Sequence, residues 1–396
     1  MRNGVNSDSW LLILLWRSVM DFHLSEEEKL VQSTASQFVK RELLSREGDY
    51  LRQQESFLPP GDPARRELDA KVYQELMGIA QRLGLWALEL PQSAGDAAIG
   101  YLARVLVYRE FGRTVLPFAP ACIPALLEKS GFVKELCEGK LSLALAFDQV
   151  HNTGTLDRVT IRYRPEPGGC IVSNSQIVVY DSSADLFLLP AREQGTNRIG
   201  LFLIEKNIPG VSIDDEADLT TDSTMARLTL RQCKIPEDRL LGYEYETGEI
   251  LAAEQLRIAG RCLGIGMRCL AAAIEHARTR ETFGRTLAQR QAIQWMLADL
   301  SVDLRSCTWL TLEAAWRADK SLPFFDAAAL AKKRAARMAF EAADTAIQIH
   351  GGYGVCKEFP FEGFYRETRM LRLLYGREAE MNRAAGESFL KVGLRR

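Results

Sequence analysis

The chain has no C-x-x-C pair: its eight cysteines (122, 137, 170, 233, 262, 269, 307 and 356) are scattered, and its four histidines (23, 151, 276 and 350) never approach metal-ligand spacing. A disulfide framework and a metal site are therefore not expected to organise it, and a reducing cytoplasm is the expected compartment. An excess of one charge is also missing. Fifty basic side chains face fifty-two acidic ones, a net charge of −2, so no overall field draws the protein to nucleic acid or an anionic membrane. An anionic ligand has to be held by a local cluster. Long apolar runs are absent as well. The stretch Trp10 to Trp16 has seven residues, where a membrane span needs about 20, and no small-residue cleavage site follows it. Met20 is the expected natural start, with residues 1–19 a disordered upstream extension.

What is present is a soluble composition, 47% hydrophobic and 26% charged over 396 residues, enough for two or three domains. Ser25 with Glu28 three residues later reads as a capping box, after which Leu30, Val31, Ala35 and Phe38 recur at helical spacing. Further helical stretches are expected over Leu68 to Leu83, Leu102 to Phe111 and Pro117 to Leu127. Near Leu141 the period changes. Leu141 to Phe147, Val159 to Tyr163, Gln176 to Tyr180, Leu186 to Pro190, Ile199 to Ile204 and Ala226 to Leu230 are short, apolar and often β-branched or aromatic, separated by Gly, Pro, Asn and Asp. That pattern predicts an antiparallel sheet or barrel ending near Gly242. Beyond Gly248 the chain is helical again: Leu256, Leu263, Met267, Leu270 and Ile274 form one apolar stripe, and Ala292 to Leu312 and Ala327 to Ile349 repeat the pattern. The expected fold is α+β: a helical domain over 20–138, a small β domain over 139–243 and a C-terminal four-helix bundle over 244–396.

Two motifs sit on the predicted C-terminal helices. The first is His276-Ala-Arg-Thr-Arg280-Glu-Thr-Phe283-Gly284, followed by Gln291; the second is Gln348-Ile-His-Gly351-Gly352-Tyr-Gly354, continuing to Tyr365-Arg366-Glu367. Arg280 offers a guanidinium to an anion, and Phe283 a flat apolar wall. Gly351 and Gly352 allow close backbone approach, and Gln291 and Gln348 offer both donors and acceptors. Singly, Arg280 also reads as a solvated helix-end cation, the glycines as a helix C-cap and Phe283 as a core residue; their joint order favours the ligand site.

From about Met20 to its end the chain resembles the acyl-CoA dehydrogenase family. The resemblance implies an FAD-dependent α,β-desaturation of an acyl-CoA thioester, with Arg280, Phe283, Gln291, Gln348, Gly351 and Gly352 reaching FAD held mainly by a neighbouring subunit. It also implies a glutamate that removes the acyl α-proton. Most members carry that glutamate after the Arg-Asp stretch, where this chain has Leu374-Tyr375-Gly376-Arg377. A minority carry it on the first C-terminal helix, and there this chain has Glu254, ahead of Ile258-Ala259. Glu254 is the candidate base, and an intrahelical ion pair with Arg257 or Arg261 is the competing reading. The segments that usually meet the chain's own flavin ring are replaced by Ala146-Phe147-Asp148-Gln149 and Ile177-Val178-Val179-Tyr180. Intact donated residues beside altered own-flavin segments suggest one subunit of an α2β2 assembly acting on a bulky, steroid-type acyl-CoA, with a homotetramer as the other arrangement. A non-catalytic partner subunit and a flavin oxygenase on the same fold are the alternative functions.

Overall fold

The computed structural model describes residues 23–54, 70–90, 99–147, 156, 159–180, 183–218 and 224–392. The expected extension at residues 1–19, and Asp148 and Gln149, lie outside them. The predicted capping box starts the first helix: the Ser25 amide donates to Glu28 Oε2 at 2.7 Å and the Glu28 amide to Ser25 Oγ at 3.2 Å. This helix, α1 (Glu26–Phe38), runs through a π-helical turn, Val39–Leu43, into α2 (Leu44–Gln54). Ala35 and Phe38 are buried as expected, whereas Leu30 is 66% exposed and faces away from the core. Next come α3 (Ala70–Arg82), α4 (Tyr101–Phe111) and the short α5 (Val133–Cys137). The expected helix over Pro117 to Leu127 does not form. Only a 3-10 turn, Ala125–Lys129, follows Pro124, because Pro117, Pro120 and Pro124 remove three of the amides a helix would need.

The β region comprises β1 (Leu143–Leu145), β2 (Arg162–Glu166), β3 (Gly169–Val179), β4 (Leu186–Glu193), β5 (Ile199–Glu205), β6 (Val211–Asp218), β7 (Thr224–Pro236) and β8 (Leu240–Gly242). They form one sheet in the order β6-β7-β3-β2-β4-β5-β8, with β1 also pairing β4. The sheet is mixed, not purely antiparallel: β4 lies parallel to both β1 and β2. Because β3 runs antiparallel to β2, the chain leaves β3 at the end where β2 began, and β4 then runs alongside β2 in the same direction. The run Leu-Phe-Leu-Leu in β4 is buried on both faces. Phe187 and Leu189 join the sheet's own core with Phe202 and Val179, and Leu186 and Leu188 join the core shared with the C-terminal helices.

The C-terminal region holds α6 (Glu244–Thr279), a tight hairpin of β9 (Glu281–Thr282) and β10 (Arg285–Thr286), then α7 (Gln291–Asp319), α8 (Phe325–His350), α9 (Phe361–Leu371) and α10 (Glu378–Val392). An alanine stripe on α8, at 328, 331, 335, 339 and 342, is wholly buried and lets that helix pack closely along α6. Still closer is the approach of α4 to α6. A Cβ added at Gly264 would lie 2.0 Å from the Arg109 carbonyl oxygen, and one at Gly112 would lie 2.2 Å from that of Arg261. The two backbones touch, and no side chain fits between them. On the far side of the bundle α7 exposes Trp295, Val302 and Trp309, seven residues apart, at 61%, 63% and 49%. Among the described residues, no helix is long and apolar enough to cross a membrane. Gly264→Ala should destabilise the protein by about 3 kcal/mol, the upper part of the overpacking range, read as a lowered urea midpoint with an unchanged slope.

Candidate active site

Helix α6 turns Glu254 inward, away from water, to 2% exposure. The Arg257 guanidinium, one turn along, donates through Nε to both carboxylate oxygens at 3.0 and 2.9 Å, and Nη2 also meets Oε2. The ion pair read from the sequence thus forms with Arg257. Arg261 instead pairs with Glu367 on α9 and donates to the Phe111 carbonyl at 2.9 Å. Cys122 Sγ donates to Glu254 Oε1 at 2.9 Å. Beside this pair Tyr108 on α4 donates its hydroxyl to Glu89 Oε1 at 2.9 Å, while Glu89 Oε2 is buried without a partner. Burial drives the Glu89 carboxyl above the usual carboxylate range, with the nearby Glu254 charge adding to it.

Tyr375 completes the cluster. Its ring is 7% exposed, and burial first, then the Glu254 carboxylate, push its phenol well above its ordinary value. The residue at the position where most of the resembled family carries a glutamate therefore lies within electrostatic reach of the alternative glutamate. The backbone there is unusual: Tyr375 has φ +51° and Gly376 φ +120°, the left-handed region. Two buried side chains hold this turn. Gln255 Nε2 donates to the Tyr375 carbonyl at 3.0 Å, and Lys332 Nζ donates to the Gly376 carbonyl at 2.7 Å. On the other face of α6, Gln255 lines a cavity of about 220 Å³ with Gly248, Leu251, Phe325 and Met381.

Lys332 is 1% exposed, and burial pulls its ammonium down from 10.5 to about 7. The unfolded chain keeps that proton until the ordinary value, so between these two pH values it binds more protons than the folded protein, and stability rises with pH across the window. Against Lys332→Met, the wild-type unfolding free energy should gain on the order of 1 kcal/mol per pH unit between about pH 7.5 and 9, measured by urea denaturation.

A second cluster lies at the far end of α6. Arg280 caps that helix and, with His276, Thr282, His350, Gly351, Gly352 and Tyr353, lines a cavity of about 400 Å³. Among the described residues, no acidic side chain lines it. Positions where a Cβ would stand on Gly284, Gly351 and Gly352 have nothing within 4 Å, leaving bare backbone open to a ligand. This set fits an anionic dinucleotide: one guanidinium and open glycine backbone, with no opposing carboxylate in the lining. Phe283, at the tip of the β9–β10 hairpin with φ +52°, is 99% exposed, so it is no core residue, and the Arg290 guanidinium stands 5.8 Å from its ring. Gln291 and Gln348 are exposed and do not line the cavity. Glu254 stands 26 residues before Arg280 on the same helix, about 39 Å at the α-helical rise.

On the β side, Ala146, Ile177 and Val179 are buried in the sheet's own core, and Phe147 in the core shared with the helices. These side chains are used for packing. Glu89, Tyr108, Cys122, Gln255 and Lys332 carry no motif in the sequence. Only Lys332, a cation set inside the alanine stripe of α8, left a sequence signal.

Residues 242–389 match the model of the acyl-CoA dehydrogenase C-terminal domain. The chain is 27% identical to the (R)-benzylsuccinyl-CoA dehydrogenase of Thauera aromatica, over 90% of this chain and 94% of that one. It is 29% identical to the human mitochondrial short-chain specific acyl-CoA dehydrogenase, over 74% and 77%. The structure of butyryl-CoA dehydrogenase from Megasphaera elsdenii shares the fold with a TM-score of 0.76 at 20% identity, covering 94% of this chain and 100% of that one. With this fold, a C-terminal region that matches the acyl-CoA dehydrogenase C-terminal domain and relatives aligned over nearly its whole length, the chain is similar throughout to acyl-CoA dehydrogenases, a family whose members are FAD-dependent.

Proposed function

We propose that the protein is an FAD-dependent acyl-CoA dehydrogenase that introduces a Cα–Cβ double bond into a bulky acyl-CoA, of which a steroid-type thioester is one, and that Glu254 is the base. The observation that carries this reading is the convergence of Glu254 and Tyr375: a buried carboxylate faces the turn where most family members place theirs. FAD, when bound, supplies the acceptor for the hydride leaving the β-carbon. The chain's own part is to bind, orient and take the proton. Glu254 accepts the α-proton at one carboxylate oxygen, and Arg257 fixes the carboxylate's orientation through both oxygens. Tyr375, Cys122 and Tyr108 exclude water around it.

The second cluster serves a second copy of the same cofactor. About 39 Å along one helix exceeds the reach of a single dinucleotide, so Arg280, Phe283, Gln291, Gln348 and the Gly351-Gly352 backbone are read as the half-site given to a neighbouring subunit's FAD. The full exposure of Phe283 and the uncovered stripe Trp295, Val302 and Trp309 on α7 support an oligomer, a homotetramer or an α2β2 assembly with a related chain. The engagement of Glu254 by both Arg257 and Cys122 also supports a second reading, in which the chain is a non-catalytic partner completing another chain's FAD pocket.

Two variants separate these readings. Glu254→Gln should lower turnover of a desaturable acyl-CoA by about 10²- to 10⁴-fold while the flavin absorbance of the purified oligomer stays constant; unchanged turnover would remove Glu254 from the mechanism. Arg280→Ala should release flavin from the oligomer, read as lost visible absorbance per chain, and full retention would count against a donated half-site.

A further inference from the structure

The cavity at the end of α6 contains a feature that dinucleotide binding by Arg280 and the glycines does not require. His276 and His350 stack with ring centroids 4.3 Å apart and planes 27° from parallel. His350 lies 4.5 Å from the Phe361 ring on its other side and is 8% exposed. Its Nδ1 is 2.7 Å from the Ala346 carbonyl oxygen. A carbonyl only accepts, so Nδ1 carries the proton and Nε2 bears the lone pair. Neither Nε2 of His350 nor either ring nitrogen of His276 has a hydrogen-bond partner among the described residues. Both rings line the same cavity as Arg280, Gly351 and Gly352.

We propose that the stacked His276–His350 pair is a proton-linked part of the phosphate site, taking up one proton when the pyrophosphate of a dinucleotide settles beside Arg280 and the Gly351-Gly352 backbone. This rests on the reading of the cavity as a dinucleotide half-site and extends it to how that site responds to pH. The groups facing the pair are Arg280 from the end of α6, Thr282 from the hairpin, Tyr353 and Cys356 from the turn after α8, and the Phe359 and Phe361 rings beside α9. None is a carboxylate. Without ligand, burial keeps His276 below its ordinary value, with His350 and Arg280 adding to the effect, and burial likewise keeps His350 low. A bound pyrophosphate supplies the missing negative charge and reverses the balance. Two imidazoliums stacked at this distance beside a guanidinium would repel, so the pair takes one proton, not two. Because the bound form holds more protons, affinity rises as pH falls, by at most about tenfold per pH unit for one proton.

The test uses the purified protein in its native oligomer, stripped of flavin and titrated with FAD between about pH 5.5 and 8. The FAD pyrophosphate diester does not itself titrate in this range. The dissociation constant should fall as pH falls, and calorimetry in two buffers of different ionisation enthalpy should count close to one proton taken up at the acidic end. The double variant His276→Phe/His350→Phe keeps two stacked rings, and whatever FAD affinity it retains should be independent of pH and accompanied by no proton uptake. An affinity independent of pH in the wild type, or an unchanged pH profile in the double variant, overturns the proposal while leaving the dinucleotide reading in place. No FAD binding at any pH overturns both.

Discussion

Direct backbone contact between α4 and α6 is the constraint on which the rest of the site depends. Gly112 and Gly264 let the two helices meet with no side chain between them, so the larger residues along the seam must turn outward to its flanks. On one flank Tyr108, Glu254 and Arg257 gather with Glu89 and Cys122 into the polar cluster. On the other, Arg261 reaches the Phe111 carbonyl and Glu367, tying the end of α4 to α9. Burying charge this way is costly unless each charge has a partner. Here Glu254 has Arg257 and Glu367 has Arg261, while burial raises the Glu89 carboxyl above the usual carboxylate range and so lowers its tendency to carry charge.

The length of α6 is the second constraint. One unbroken helix of 36 residues carries Glu254 and Gln255 in its first half and His276 at its end, with Arg280 as its cap. A rigid rod of that length cannot bring both ends to one ligand, so the two clusters at Glu254 and at Arg280 are separate places on the chain. The uncovered hairpin and the apolar stripe of α7 lie between the two segments that form the second cluster, the end of α6 and the turn after α8.

The turn at Tyr375 shows how a replaced side chain can leave a framework intact. Gln255 and Lys332 bind backbone carbonyls, those of Tyr375, Gly376 and Arg372, so they hold the left-handed turn whatever side chain stands at 375. A large aromatic there fills the space beside Glu254 instead of adding a second carboxylate next to it, which would have raised the cost of ionising either group.

Much of the architecture was legible in the residues themselves. The capping box at Ser25 and Glu28, the apolar stripes of α6 and α8 and the change of period near Leu141 follow from local preferences that need no knowledge of the rest of the chain. So did the grouping of Arg280 with Gly351 and Gly352, because both motifs end helices that pack side by side. The proline-broken segment after Pro117 and the parallel course of β4 were not legible, since each depends on where the chain must travel to reach its neighbours. Neither was the polar cluster. Glu89, Tyr108, Cys122 and Lys332 come from four separate stretches of chain and share no spacing, so only the packing of α4 on α6 and of α8 beneath the Tyr375 turn could bring them to one place and take them out of water. By itself the sequence determined which elements form and which residues end them. The tertiary structure decided which charges are buried together, because desolvation and pairing are properties of neighbours in space and not of neighbours along the chain.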